Sequence, residues 1–184
     1  FLFGCNPDFI KYSVYIRHNR SQQGKYQIGD KIPNIKFGMQ TNGVLLNQKY
    51  IDVFLKHKMN VGISLDGEKQ YNDDRRVDLK GNGTFDRTMT GLKQLLKDDN
   101  RKAFGGILSV INIKSDPKDT IKFFQKTSTK ALDLLEPDGN YENLPPSKSS
   151  VKSTEYADWL ISAFDYWLEN APEIKIRRFE EIIE

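Results

Sequence analysis

Short apolar runs alternate with amphipathic stretches along most of this chain. Ile35 to Gln40, Val61 to Leu65, Gly105 to Asn112 and Ala131 to Leu135 have the length and the apolar, partly alternating character of β-strands. Asn47 opens a helix with Tyr50, Phe54 and His57 on one face. Thr84 opens another, with Phe85, Met89, Leu92 and Leu96 at helical spacing. Asp116-Pro117 starts a third, whose apolar face includes Ile121 and Phe124. Upstream, Asn6-Pro7-Asp8 predicts a helix running to about Asn19, and the polar stretch from Ser21 to Asn34 predicts a loop. The four strands are spaced by roughly one strand-plus-helix unit each, which predicts parallel pairing through right-handed crossovers and an α/β class.

From Glu136 the pattern breaks. Pro137-Asp138-Gly139 and Pro145-Pro146 bracket an irregular segment that ends in a Ser/Lys run. Thr154 to about Asn170 is a helix with Tyr156, Trp159, Leu160, Ala163, Phe164 and Trp167 as its apolar stripe, either core or a contact face. Ile174 to Ile183 is an amphipathic tail. The predicted division is a strand-and-helix portion over residues 1–135 and a Pro-rich linker with a helical extension over residues 136–184.

Alternation within the strands separates two faces. Ile35, Phe37 and Met39 oppose Lys36, Gly38 and Gln40, and Val61, Ile63 and Leu65 oppose Gly62 and Ser64. Bulky faces pack under helices, and strand glycines leave room for a ligand or another backbone. Gln40 and Ser64 are therefore expected to point into a cavity at the carboxyl ends of neighbouring strands, with Asn112 ending the third strand. The plainer possibility is that all three only bond to loops. Asp66 is either functional or a turn former before Gly67. Arg76 is either functional or solvated among Asp73, Asp74 and Asp78.

Composition narrows the classes. The 184 residues carry a formal charge of +3, with 29% charged and 38% hydrophobic residues, as in a globular domain. No basic cluster suggests a nucleic-acid partner. No apolar run is long enough to cross a membrane, and no secretory signal opens the chain. A single cysteine, Cys5, excludes an internal disulfide and a multi-cysteine metal site, and favours a cytoplasmic setting. His18 and His57 lack ligand spacing. Neither a P-loop nor a Gly-x-Ser-x-Gly elbow occurs.

Four segments in order carry a family resemblance: Gln40-Thr41-Asn42-Gly43-Val44-Leu45-Leu46, Val61-Gly62-Ile63-Ser64-Leu65-Asp66-Gly67, Arg76-Val77-Asp78 and Gly81-Asn82-Gly83-Thr84-Phe85. Together they resemble the radical S-adenosylmethionine (SAM) superfamily, in particular its SPASM-type branch of sulfatase and peptide maturases. Leu134-Leu135-Glu136-Pro137-Asp138-Gly139-Asn140 and Asp158-Trp159-Leu160-Ile161 extend the likeness, which runs from about Asn6 to Glu184. The resemblance implies a partial, TIM-like (βα)6 barrel, incomplete here. It implies SAM and a [4Fe–4S] cluster as cofactors, a precursor peptide or protein as substrate, and a flavodoxin- or ferredoxin-type electron donor.

Carried over by position, Ser64 and Asp66 fall near the SAM ribose and methionine, and Arg76 is suited to the SAM carboxylate. Gln40 and Asn42 line the cavity, and Asn112 lies near the adenosyl group. The family's three-cysteine loop is absent from this sequence, its Gly-Gly-Glu-Pro motif is not recognisable, Tyr141 replaces a histidine, and Glu68 stands where a proline is usual. The chain is expected to be a piece of such an enzyme that is inactive alone. The alternative is a degenerate barrel that binds a precursor peptide without catalysis.

Overall fold

A computed structural model describes residues 37–183. The predicted helix at Asn6 to Asn19, the loop to Asn34, His18 and Cys5 lie outside the described residues.

Five strands form one sheet, β1 (Gly38–Thr41), β2 (Asn60–Ser64), β3 (Phe104–Val110), β4 (Ala131–Leu135) and β5 (Lys175–Ile176), in the order β1-β2-β3-β4-β5. Every pair is parallel. The helices are α1 (Gln48–Lys56), α2 (Lys69–Asp73), α3 (Phe85–Leu95), α4 (Pro117–Lys126), α5 (Glu155–Asn170) and α6 (Arg177–Ile183).

Strand neighbours in space are also neighbours in sequence, and the two sheet faces differ in burial. Met39, Val61, Ile63, Ile107, Leu132, Leu134 and Ile176 are buried on one face. Gln40, Ser64, Leu108, Asp133 and Leu135 on the other are half-buried. A doubly wound sheet buries both faces under helices. Sequential order with one helix-covered face instead gives an arc of a TIM-like barrel whose inner face is half-buried among the described residues.

The local sequence accounts for the elements. The Asn47 carboxamide oxygen accepts the N–H groups of Lys49 (3.0 Å) and Tyr50 (3.4 Å), capping α1. Asp116 caps α4 through the Asp119 N–H (2.9 Å), with Pro117 in the first turn. Ile121 and Phe124 of α4 are fully buried, as their spacing predicts. On α1 the buried pair is Ile51 and Phe54, whereas Tyr50 and His57 are exposed. Phe54 is buried as predicted, and Ile51 takes the place on the packed face expected of Tyr50.

Two segments differ from expectation. The connection from Asp66 to Gly83 contains α2 and an antiparallel bridge between Val77 and Gly83. The tail contains β5, which pairs with β4 through Ala131 and Leu132. The sheet therefore continues past residue 135, and the expected division there does not mark its edge. A two-residue strand has too few alternating positions to show period two in sequence. Phe179 packs edge-on to Phe164 at 5.3 Å and tilted against Trp167 at 5.4 Å, so α5 and α6 close the core around this last strand.

Candidate functional site

The end of β2 is built around a buried ion pair. Asp66 lies two residues past the strand, with its side chain 3% exposed. Arg76 donates to it through Nε and Nη2, both at 2.7 Å, a two-pronged guanidinium–carboxylate contact. The Val110 N–H donates to the same carboxylate at 2.8 Å. The Asp66 backbone N–H donates to the buried Asn72 side chain of α2 (3.2 Å). Asp66 thus ties β2 to β3 and to the connection that follows it. Arg76, with its side chain 21% exposed, pairs with Asp66 and not with Asp73, Asp74 or Asp78. Its fork faces Asp66, and its Nη1 makes no hydrogen bond among the described residues.

The Arg-Val-Asp and Gly-Asn-Gly-Thr-Phe segments hold that arginine in place. The Arg76 carbonyl accepts both the N–H (3.1 Å) and the hydroxyl (2.8 Å) of Thr84. Thr84 stands at the head of α3 but does not cap it with its side chain. That role falls to Asp73, whose carboxylate accepts the Phe85 N–H at 2.8 Å. A Cβ on Gly83 would lie 2.2 Å from the Asp73 carboxyl carbon, so glycine there admits this cap. Asp78 closes the tip of the loop. The Asn82 and Lys80 backbone N–H groups, with the Arg87 guanidinium at 2.8 Å, hold its carboxyl below the usual value.

The end of β1 lies alongside. Gln40 Nε2 donates to Ser64 Oγ at 3.1 Å across the inner face, and Gln40 is paired with Gly62 in register. The space over Gly62, expected to be open to a ligand, is filled by the Gln40 carboxamide: a Cβ at position 62 would meet its oxygen at 2.1 Å. Among the described residues, the nearest atom to a Cβ on Gly38 would be the Asn60 carbonyl oxygen at 3.8 Å. The Asn42 side chain accepts the Val44 N–H (3.2 Å) within its own turn. Its carbonyl accepts the Thr88 hydroxyl of α3 (2.8 Å). Gly91, whose Cβ would lie 2.2 Å from the Gly43 carbonyl, lets α3 approach this turn.

Asn112 follows β3. Residue 112 is 3% exposed, and its Oδ1 accepts the Lys114 N–H at 3.1 Å. Its Nδ2 is buried and has no hydrogen-bond partner among the described residues. An unsatisfied buried amide donor costs about 1–3 kcal/mol. The strand ends thus bring Gln40 to Ser64 and Asp66 to Arg76, with Asn112 two residues past the Val110 N–H that binds Asp66. The Asn42 side chain is turned into its own loop.

Several residues of this network were not anticipated. Asp73, Thr84 and Thr88 act through long-range contacts that no spacing shows, although Gly83 and Gly91 sit where two segments touch. Among the described residues no cluster of His, Cys, Asp and Glu suits a metal ion, and the chain has one cysteine. The residues present do not fit a [4Fe–4S] cluster, which requires several thiolates.

No family model matches the chain. A cysteine-type anaerobic sulfatase-maturating enzyme of Clostridium novyi is 30% identical over 158 residues, covering 82% of this chain and 41% of that protein. A serine-type anaerobic sulfatase-maturating enzyme of Bacteroides thetaiotaomicron is 25% identical over 162 residues, covering 80% of this chain and 38% of its own length. The solved structure of anSMEcpe with bound AdoMet superposes with a TM-score of 0.71 at 26% identity, over 82% of this chain and 42% of that one. The same TM-score, at 27% identity, is found for anSMEcpe with AdoMet and the Cp18Cys peptide, over 82% and 43% of the two chains. The chain is homologous to the anaerobic sulfatase-maturating enzymes. That relationship bears out the resemblance to SPASM-type radical SAM maturases and the partial α/β barrel. The chain spans about four-tenths of the length of these sulfatase-maturating relatives, 41% and 38% of the two named above.

No helix among the described residues is long and apolar enough to cross a membrane.

Proposed function

We propose that this chain is the S-adenosyl-binding arc of a radical SAM maturase that modifies a side chain of a peptide or protein. The observation that carries the reading is the free, buried donor of Asn112 beside the Asp66–Arg76 lock, at the carboxyl ends of parallel strands. Ligands of barrel folds bind at that end. Asn112 Nδ2 would donate to an acceptor of the adenosyl portion, Ser64 and Gln40 would meet the ribose or methionine, and Arg76 Nη1 would meet the carboxylate. SAM supplies the radical chemistry when bound. The chain's own side chains orient it and keep the Asp66 charge away from it by engaging that charge with Arg76.

The homology supports a peptide or protein substrate, since solved relatives carry AdoMet with peptides. Reduction would come from an electron-donor protein, and the cluster would be held by cysteines that this sequence does not contain. The test is calorimetric titration of the chain with SAM. Saturable binding that falls roughly tenfold in Asn112→Ala, the loss of one well-made hydrogen bond, supports the reading. Absence of heat at millimolar SAM, or equal affinity in the variant, refutes it. The alternative is a degenerate barrel that binds a precursor peptide without catalysis. It predicts peptide binding without any response to SAM.

A further inference from the structure

The loop after β3 is braced from three other elements, and the bracing determines which way the Asn112 amide faces. Arg75, at the end of the α2 connection, donates through Nη1 to the Ile111 carbonyl at 3.2 Å. The Asn112 carbonyl accepts the Ser115 N–H (2.9 Å) and hydroxyl (2.7 Å). The Thr120 hydroxyl of α4 donates to Ser115 Oγ at 3.1 Å. Trp159 then reaches in from α5, its indole Nε1 donating to the Ser115 carbonyl at 2.9 Å in a buried contact 44 residues away in sequence.

The carbonyls of Ile111, Asn112 and Ser115 are all engaged, and so is Asn112 Oδ1. The single polar side-chain atom of this loop left buried and unpartnered is Asn112 Nδ2. A free side-chain amide would rotate to satisfy its donor. Here the Lys114 N–H fixes the sense of the amide, and that N–H lies on a turn whose end is held by Trp159.

We infer that Trp159 is a positioning residue: through Ser115 it holds the turn that keeps Asn112 Nδ2 presented as a hydrogen-bond donor to a bound S-adenosyl ligand. The ligand in this statement rests on the proposed function; the bracing rests on the contacts alone. The helix beyond the Pro-rich segment is then part of the binding arc and not only a cover for the core.

Trp159→Phe keeps an aromatic ring and removes the N–H. Trp167→Phe is the control, because Trp167 Nε1 makes an equivalent buried contact to the Ile174 carbonyl (2.7 Å) on the same helix. S-adenosylhomocysteine is titrated calorimetrically into the wild-type chain, Trp159→Phe, Trp167→Phe, Asn112→Ala and the Asn112→Ala/Trp159→Phe double variant. Trp159→Phe is expected to weaken binding roughly three- to tenfold, the range for one misplaced hydrogen bond. Trp167→Phe should leave affinity unchanged, and the double variant should bind no more weakly than Asn112→Ala. Unchanged affinity in Trp159→Phe, or losses that add in the double variant, overturns the inference.

A ligand-free arm uses the side-chain amide resonances of Asn112. They should shift in Trp159→Phe and stay in place in Trp167→Phe; resonances unmoved in both overturn the bracing whatever the titration shows. A wild-type chain that fails to bind S-adenosylhomocysteine counts against the adenosyl reading alone, and the resonances then decide the role of Trp159.

Discussion

The ends of β2 and β3 carry a polar residue at nearly the same place, yet the two are used in opposite ways. Asp66 has both carboxylate oxygens engaged by the Arg76 fork, one of them also by the Val110 N–H, and its backbone N–H engaged by Asn72. Asn112 has its oxygen engaged and its nitrogen free. A carboxylate buried to this degree needs partners inside the protein, because an uncompensated buried charge costs several kcal/mol. A neutral amide can leave one donor open at a smaller cost. Adjacent strand ends can therefore differ, one tied into the rim and the other keeping a donor open, which the proposed function assigns to a ligand.

The largest effect expected is in Arg76→Ala. It strands a carboxylate that is 3% exposed and should lower unfolding free energy by about 3 kcal/mol in urea titration. A loss below about 1 kcal/mol, the range of surface pairs, would show that the lock is not one. Gly91→Ala comes next. Alanine favours helices over glycine, yet its Cβ would sit 2.2 Å from the Gly43 carbonyl, a backbone atom that cannot swing away. A loss of about 2 kcal/mol is expected, measured by thermal melting; a gain would disprove the close approach of α3 to the β1 turn.

Asn112→Ala sharpens the contrast with Arg76. It removes one accepted hydrogen bond and one unsatisfied donor, so stability should change by less than about 1 kcal/mol while SAM affinity drops. Gly62→Ala is expected to be smaller still, about 0.5 kcal/mol or less, because the colliding atom is the tip of a flexible glutamine. Its visible consequence is loss of the Gln40–Ser64 hydrogen bond, read from the Gln40 side-chain resonances.

The mildest prediction lies far from both strand ends. Glu155, at the start of α5, has its carboxyl lowered to about 2, first by the Ser149 hydroxyl and then by Ser153. Its folded value is depressed below the ordinary 4.5. Its contribution is therefore present above that ordinary value and is lost as pH falls toward 2. Carboxyl NMR titration of Ser149→Ala should move the midpoint up toward 4.5; an unmoved midpoint would remove Ser149 as the cause.

Much of this was legible beforehand because the signals are local. Four of the five strands were placed from their apolar character, and β2 and β4 bury alternate residues as period two requires. Asn47 and Asp116 cap helices through bonds two or three residues away. The pairing of Asp66 with Arg76 was not legible, since three nearer carboxylates competed for the arginine in sequence. Nor was the cap on α3, where Thr84 has the right type and place but Asp73 arrives from 12 residues upstream. Gly62 was read as vacancy when its neighbour across the ladder fills the space. What failed in each case was a side chain reaching between elements, which depends on tertiary geometry and leaves no periodic trace.

The strictly successive strand order has a consequence for how the chain is made. Each strand docks on the edge left by the one emitted just before it, so assembly can keep pace with synthesis from the ribosome. Trimming from the carboxyl side would peel strands away in reverse, beginning with the two residues of β5, and leave the earlier ladders with the partners they first acquired.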